Sequence, residues 1–225
     1  GLRRCDAVVE EPRAESGVEV EYVRSGMLKV AFTEEQEAEL RAALAWQQSR
    51  GLAVTWLDRQ DALALEPKVS EEVRGALFTT EGGHVNAERL TLALTQAAAR
   101  KGARVLQGKA VVGFVVEGSR VVGVRLPDET WPADHVVVAA GAWTAEAVRW
   151  LGVDLPIVPV RGQILALRAL PKPVQRIVFG PRGYLVPRVD GTITVGATME
   201  WVGFHRAVTV RGLASLLDVA AGLVP

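Results

Sequence analysis

Residues 184–198 read YLVPRVDGTITVGAT, and this stretch decides the fold of the second half of the chain. Two runs with a period of two flank the pair Asp190-Gly191. Asp-Gly between alternating runs is a strong signal for a β-hairpin, because the tight turn needs residues that accept positive φ. Runs over 158–167 and 175–179 have the same period. The sequence therefore predicts four successive antiparallel strands, and an amphipathic helix over about 210–223 follows them.

The first hundred residues alternate between strand and helix signals. Thr33 followed by Gln36 forms a capping box at the start of a helix that Gly51 ends. Asp58 and Asn86 are suited to N-cap two later helices. The predicted elements are a strand or hairpin over 18–32, a helix over 34–50, a strand over 54–56, a short helix over 59–65, a strand over 76–80 and a helix over 87–101.

The middle of the chain has mixed α/β character. A strand over 104–106 and a hairpin of 110–116 with 121–126 precede the run Val-Val-Val-Ala-Ala at 136–140. An all-apolar run of this length is typical of a central strand buried on both faces. Gly141 ends it, and a helix over 144–151 follows.

The order of these elements predicts an α+β or mixed α/β fold of two interleaved domains. An antiparallel sheet with helices forms one domain, and the middle part of an α/β domain forms the other. The predicted boundaries are a loosely structured lead-in over 1–17, in which Pro12 disfavours a helix interior, a first part of the sheet domain over 18–82, the partial α/β domain over 83–153, and a second part of the sheet domain over 154–225.

Composition excludes several classes of protein. The chain has 225 residues, 26 basic against 26 acidic, and a formal net charge of zero. Neither nucleic acid nor an anionic membrane would find a net electrostatic attraction. The single cysteine, Cys5, excludes an internal disulfide framework and fits a reducing cytoplasm. No apolar run reaches the ~18–20 residues that a membrane span needs.

Few motifs in the sequence carry chemistry by themselves. Gly-x-Ser-x-Gly, the P-loop and Gly-x-Gly-x-x-Gly are absent, and none of the three histidines has a ligand partner at metal-binding spacing, so no metal site is expected. The strand end at Ala140-Gly141 either brings bare backbone to a ligand or is a tight turn that needs glycine. The 82–86 loop either cradles an anion or is a turn with an Asn cap. Tyr184 and Met199 are predicted to lie on adjacent strands of the final sheet. A tyrosine hydroxyl can bond a carboxylate and a methionine can line a small pocket, but both residue types are common in cores.

Taken in order, the motifs resemble the flavin-dependent glycine oxidase family of thiamine biosynthesis, within the D-amino-acid oxidase superfamily. No single motif decides this; their order and spacing over about residues 15–225 do. The matching segments are ESGVEV (15–20), RSGML (24–28), LALEP (63–67), GHVN (83–86), VVAAGAW (137–143), PVRGQ (159–163), YLVPR (184–188) and VGATME (195–200).

The resemblance implies an FAD domain interleaved with a substrate domain whose antiparallel sheet covers the flavin. It implies that a small amine or amino acid passes hydride to the flavin, that the imino acid is hydrolysed, and that oxygen is reduced to peroxide. Carried over by motif, Tyr184 looks like the tyrosine that holds the substrate carboxylate, and Met199 like the residue near its small side chain. Val111 resembles the position whose backbone meets the adenine, and Ala140 and Gly141 resemble the strand end beside the FAD.

The resemblance also implies what this sequence lacks. The family's dinucleotide loop and ribose-binding acid would precede residue 1, and its carboxylate-binding arginine and glycine-rich closing segment would follow Pro225. We therefore expect this chain alone to bind FAD weakly and to be inactive. An unpaired edge at 136–140 would favour self-association, so a homo-oligomer is expected. The alternatives are a D-amino-acid dehydrogenase, a sarcosine-oxidase-like flavoenzyme, or a non-catalytic binding or scaffold domain.

Overall fold

The computed structural model describes residues 2–225, with side chains from Cys5 onward. The α-helices of this part of the chain are α1 (Leu2–Ser16), α2 (Glu34–Ser49), α3 (Arg59–Leu65), α4 (Ala87–Arg100), α5 (Thr144–Arg149) and α6 (Val210–Leu223). The strands are β1 (Met27–Ala31), β2 (Val54–Asp58), β3 (Gly75–Thr79), β4 (Gly113–Glu117), β5 (Arg120–Arg125), β6 (Thr130–Pro132), β7 (Ile164–Arg168), β8 (Ile177–Phe179), β9 (Tyr184–Pro187) and β10 (Thr192–Gly196). A short 3₁₀ helix covers Gly141–Trp143.

Seven strands form one sheet in the order β2-β3-β1-β8-β9-β10-β7. All neighbours are antiparallel except β1 and β8, which run parallel and join the first-half strands to the last four. The hairpin between β9 and β10 turns at Asp190-Gly191, where Gly191 has a φ of +85°. The predicted antiparallel sheet with helices, within a mixed α/β fold, is confirmed.

The main core lies on one face of this sheet. Strand residues of both chain halves pack there with α6 and with the segment around α3, and the fully buried members include Leu28, Val178, Val195 and Leu216. In β9, and in β10 up to Val195, alternate residues are buried. This period of two is the one that the sequence shows, since successive strand residues face opposite sides.

Helix starts follow the predicted caps. The Thr33 hydroxyl accepts from the Gln36 amide, and the Gln36 side chain accepts from the Thr33 amide, so the capping box is confirmed. Asp58 and Asn86 cap α3 and α4 through their side chains. Each cap satisfies an amide that the first helical turn leaves without a partner.

The prediction of a loosely structured segment over 1–17 is wrong for residues 2–16, which form α1 with Pro12 inside it. An interior proline costs a helix about 3 kcal/mol. Tertiary contacts offset this cost, because Pro12 is buried and α1 packs along α4. Lys101 of the segment after α4 bridges to Glu11 at 3.0 Å and to Glu15 at 2.8 Å. Packing therefore overrides the local preference.

The chain divides into two compact units. The first contains the residues up to Ala103 with Gly162–Thr198 and Val208–Pro225, and includes the seven-stranded sheet. The second contains Arg104–Arg161 and Met199–Ala207, with a three-stranded sheet in the order β4-β5-β6. The chain passes from the first unit to the second and back twice, whereas the sequence predicts one passage, and α4 falls in the first unit rather than with the segment over 83–153. The assignment of substrate and cofactor domains stays a prediction.

Two predicted strands are wrong. Residues 104–106 and 136–140 have no strand structure, and Val137 is 88% exposed. A strand exists only where a neighbour supplies hydrogen bonds, and no segment of residues 2–225 pairs with 136–140. The apolar side chains at 136–140 are therefore not buried in a core of the second unit.

Candidate functional site

Tyr184 lies at the start of β9 on the face of the sheet opposite the main core. The next residue, Leu185, is buried in that core, so the alternation of β9 turns the Tyr184 ring to the other side. Tyr184 is directly opposite Phe179 of β8, and their ring centroids are 5.1 Å apart with an interplanar angle of 45°. The ring of Phe179 therefore limits the positions that Tyr184 can take.

Gly196 on β10 is the other cross-strand neighbour of Tyr184. A Cβ at Gly196 would lie 2.3 Å from the Tyr184 hydroxyl oxygen, so only glycine lets the ring cross β10 at this point. Sequence reasoning missed both Phe179 and Gly196 as neighbours of Tyr184. The alternating runs predict strands, but a pattern of this kind does not give the register between them.

Met199 does not lie on a strand beside Tyr184, and that prediction is wrong. β10 ends at Gly196, and Met199 lies beyond it in the second unit with 68% of its surface exposed. The strand ends because the next residues bond to the segment before β7: Thr198 bonds to Gln163, and Glu200 pairs with Arg161. Met199 is the residue between these two fixed points.

The three residues that the resemblance assigns to the cofactor all lie in the second unit. Val111 precedes β4 and is exposed, and its backbone groups make no hydrogen bond within the described part of the chain. Ala140 and Gly141 are exposed and lead into the 3₁₀ helix, with Gly141 at a φ of +54° and open space where a Cβ would stand. The carbonyls of Ala140 and Gly141 already accept from the amides of Trp143 and Thr144, whereas their own amides and the backbone of Val111 have no partner among the described residues. These open groups are compatible with a flavin nucleotide.

The 82–86 loop is a packed turn followed by a helix cap. A Cβ at Gly82 would lie 2.5 Å from that of Met27, and one at Gly83 would lie 2.7 Å from the carbonyl oxygen of Val23. Asn86 caps α4. These contacts account for both glycines, and they favour the turn with an Asn cap over an anion cradle.

His84 in this loop bonds to Arg188 at the end of β9. The Arg188 Nη1 lies 3.2 Å from His84 Nδ1, which therefore accepts, and 3.3 Å from the carbonyl oxygen of Val85. Partial burial lowers the pKa of His84, and the positive charge of Arg188 lowers it further. The neutral ring thus helps to hold the loop to β9.

No group of three or more His, Cys, Asp or Glu side chains is placed to hold a metal ion in the described part of the chain. Among the helices described, none is long and apolar enough to cross a membrane.

Comparison with known proteins agrees with this geometry. The chain is 34% identical over 221 residues to the glycine oxidase of Geobacillus kaustophilus, covering 97% of this chain and 58% of that protein. It is 30% identical to the glycine oxidase of Bacillus subtilis over 96% of this chain and 57% of that protein. A bifunctional protein ThiO/ThiG from Synechocystis is 36% identical over 76% of this chain and 26% of that protein.

Solved structures show the same fold. The crystal structure of the Geobacillus kaustophilus glycine oxidase superposes with a TM-score of 0.94 at 32% identity, over all of this chain and 60% of that one. The chain thus spans less than two thirds of the relatives that it matches. Residues 3–225 match the sequence model of the FAD dependent oxidoreductase family, DAO. The chain belongs to the FAD dependent oxidoreductase family.

Proposed function

We propose that the complete protein containing this chain is an FAD-dependent oxidase of glycine or of other small amines and D-amino acids, which yields the oxo acid and peroxide. The observation that carries the proposal is Tyr184, whose ring lies on the sheet face opposite the main core while its hydroxyl crosses Gly196. The ordered motifs and the relatives named glycine oxidase support it. The ThiO/ThiG relative supports a role in making the thiazole of thiamine.

In this proposal the protein binds and orients the substrate. FAD, when bound, would accept the hydride from the substrate α-carbon, which is chemistry that no side chain supplies. The Tyr184 hydroxyl donates a hydrogen bond to the substrate carboxylate, and Phe179 and Gly196 hold the ring at the required angle. Met199 limits the room for the substrate side chain. The backbones of Val111, Ala140 and Gly141 would hold the cofactor.

The test compares both tyrosines of the chain in the complete protein. Peroxide release is measured with glycine, sarcosine and D-proline. Tyr184→Phe should lower kcat/KM for glycine about 10- to 100-fold, because a hydrogen bond to a charged group contributes about 1.5–3 kcal/mol. Tyr22→Phe is the matched control, since Tyr22 bonds to Asp6. Equal effects of the two substitutions, or no peroxide from the wild type with any substrate, would refute the proposal.

The same assay separates the alternative functions. A higher kcat/KM with sarcosine or D-proline would favour a sarcosine-oxidase-like enzyme or a D-amino-acid dehydrogenase. Activity with an artificial acceptor but not with oxygen would also favour the dehydrogenase. A complete protein that binds no flavin would favour the scaffold domain.

Three further properties belong to this proposal. The chain alone binds FAD weakly, and a stoichiometric flavin absorbance in the purified chain would contradict this. The homo-oligomer stays a prediction without its first basis, because residues 136–140 form no strand edge, and light scattering of a clean monomer would contradict it. The complete protein acts in the cytoplasm without binding nucleic acid, as the lone Cys5 and the balanced charge indicate.

A further inference from the structure

The segment Arg161-Gly162-Gln163 bonds to both chain neighbours of Met199. Before Met199, the Gln163 amide donates to Thr198 Oγ1 at 2.9 Å, and the Thr198 amide donates to the Gln163 carbonyl at 3.1 Å. After Met199, the Arg161 amide donates to the Glu200 carbonyl at 2.9 Å, and the Glu200 amide returns a bond of 3.0 Å. The position of the Met199 backbone is therefore set from both sides.

The two outer residues of the segment are themselves held. Gln163 is buried and bonds through its side chain to the backbone amide and hydroxyl of Thr209, at 2.8 and 3.0 Å, where α6 begins. The backbone on the N-terminal side of Met199 is therefore anchored, through Gln163, to the capped start of α6.

The Arg161 side chain fixes the side after Met199. It is only 11% exposed, and its Nη2 pairs with Glu200 Oε2 at 2.5 Å. Its Nη1 reaches two acceptors of one residue, His205 Nδ1 at 2.9 Å and the His205 carbonyl at 3.3 Å. One guanidinium therefore joins the start of the 199–207 loop to a point five residues further on. Lysine, with a single ammonium, does not reproduce this forked geometry.

The rest of the 199–207 loop is exposed, so few contacts other than those of Arg161 hold the loop in position. Trp201 is as exposed as Met199. Two other contacts hold the loop to Trp143: the Phe204 ring stacks on it at 5.1 Å with an interplanar angle of 20°, and the Arg206 guanidinium lies 5.9 Å from its ring centroid. Both contacts lie several residues from Met199. They do not replace the side-chain bond from Arg161 to Glu200, which is next to Met199.

We propose that Arg161 is a positioning residue that sets the side-chain size selectivity of the enzyme by holding Met199 in place. This rests on the proposed function, in which Met199 limits the substrate side chain. Arg161 acts through Glu200 and touches neither substrate nor cofactor in this role. If the loop relaxes, the space for the side chain widens, and the enzyme discriminates less between glycine and an amino acid one methyl group larger.

A first experiment tests the positioning without catalysis. Backbone amide hydrogen exchange is measured by NMR on the 225-residue chain, as wild type, as Arg161→Gln and as the control Arg149→Gln. Arg149 is a suitable control because it lies in the same unit in an exposed pair with Asp154. Exchange of the Glu200 amide should rise at least tenfold in Arg161→Gln, while Val195 of β10 and the control variant stay unchanged. Unchanged protection of Glu200 would overturn the inference.

A second experiment tests selectivity in the complete protein. The ratio of kcat/KM for glycine to that for D-alanine should fall about tenfold in Arg161→Gln, since one methylene in a pocket is worth about 10- to 200-fold. The kcat for glycine should stay within about twofold, as expected when uniform binding is lost. Arg161→Lys should restore part of the ratio. General destabilisation lowers both activities together and leaves the ratio unchanged.

The outcomes separate this inference from the proposed function. If the wild type does not oxidise glycine, the proposed function fails, whatever the exchange data show. If the wild type is active and Met199→Ala lowers the ratio but Arg161→Gln does not, Arg161 has no positioning role. An unchanged ratio in Met199→Ala also overturns the inference. If Arg161→Gln does not fold, Glu200→Gln removes the same ion pair with little change in volume and is judged by the same ratio.

Discussion

Glu66 should be among the most sensitive positions for the stability of this chain. It lies just after α3 and is 1% exposed. Its carboxylate accepts from the backbone amide of Gln175 at 3.1 and 3.3 Å and from Arg176 Nη1 at 3.1 Å. The same Nη1 also donates to the carbonyl of Leu65 at 3.2 Å. These bonds connect residues about 110 positions apart, at the place where β8 begins beside β1.

The loss of stability expected in Glu66→Ala follows from the hydrogen-bonding groups that lose their partner. The Gln175 amide loses a partly buried hydrogen bond to a charged acceptor, and bonds of this kind contribute about 1.5–3 kcal/mol. Arg176 is 29% exposed and loses its counter-charge, so its charge stays partly hydrated. Removal of one partner from a buried ion pair typically costs about 3–5 kcal/mol. For a chain of this size that corresponds to a fall in Tm of about 6–20 °C.

Urea unfolding followed by circular dichroism and tryptophan fluorescence measures this loss. Glu66→Gln should cost less, about 1–3 kcal/mol, because the amide oxygen can still accept from the Gln175 backbone. Glu71→Ala is the control, since Glu71 is exposed and forms no ion pair with the described side chains. A loss below about 1 kcal/mol for Glu66→Ala, or one equal to the control, would refute the view that this pair joins the two halves of the sheet.

Three further predictions concern the helix cap, the loop histidine and the site. Thr33→Ala should lower the free energy of unfolding by about 1 kcal/mol, with Thr33→Ser as control, since serine keeps the capping oxygen. Since burial and Arg188 lower the pKa of His84 in the folded chain, the unfolded chain takes up this proton first as the pH falls below about 6.5, and stability should fall with it. His84→Gln should flatten urea midpoints between pH 7.5 and 5.5, and an equally steep dependence would contradict this. Gly196→Ala should raise the KM of the complete protein for glycine at least tenfold, because its Cβ collides with the Tyr184 hydroxyl, and a crystal structure with an unmoved ring would refute this.

Short sequence motifs correctly predict those elements that are stabilised by interactions between residues close in sequence. The capping box at Thr33 and the hairpin at Asp190-Gly191 depend on residues within a few positions, and both form as predicted. The failures depend on partners that are distant in sequence. Residues 136–140 have the composition of a central strand but no neighbour in the described chain, and α1 contains Pro12 because α4 covers it. The resemblance predicts Tyr184 as a site residue, which stays a prediction, whereas its neighbour Phe179 follows only from the register of the sheet.

The register of β9 determines both the position of Tyr184 and the burial of the core residues on this strand. Leu185 and Pro187 are buried, while Tyr184 and Val186 between them are only partly buried on the opposite face. A shift of β9 by one residue would bury Tyr184 and expose Leu185, because side chains alternate along a strand. Exposing a leucine costs about 1.5–3 kcal/mol, so the apolar pattern of β9 holds the register against such a shift. The residues that never touch a substrate therefore determine where the Tyr184 hydroxyl lies, and a substitution such as Leu185→Ser should weaken the site through register as well as through the core.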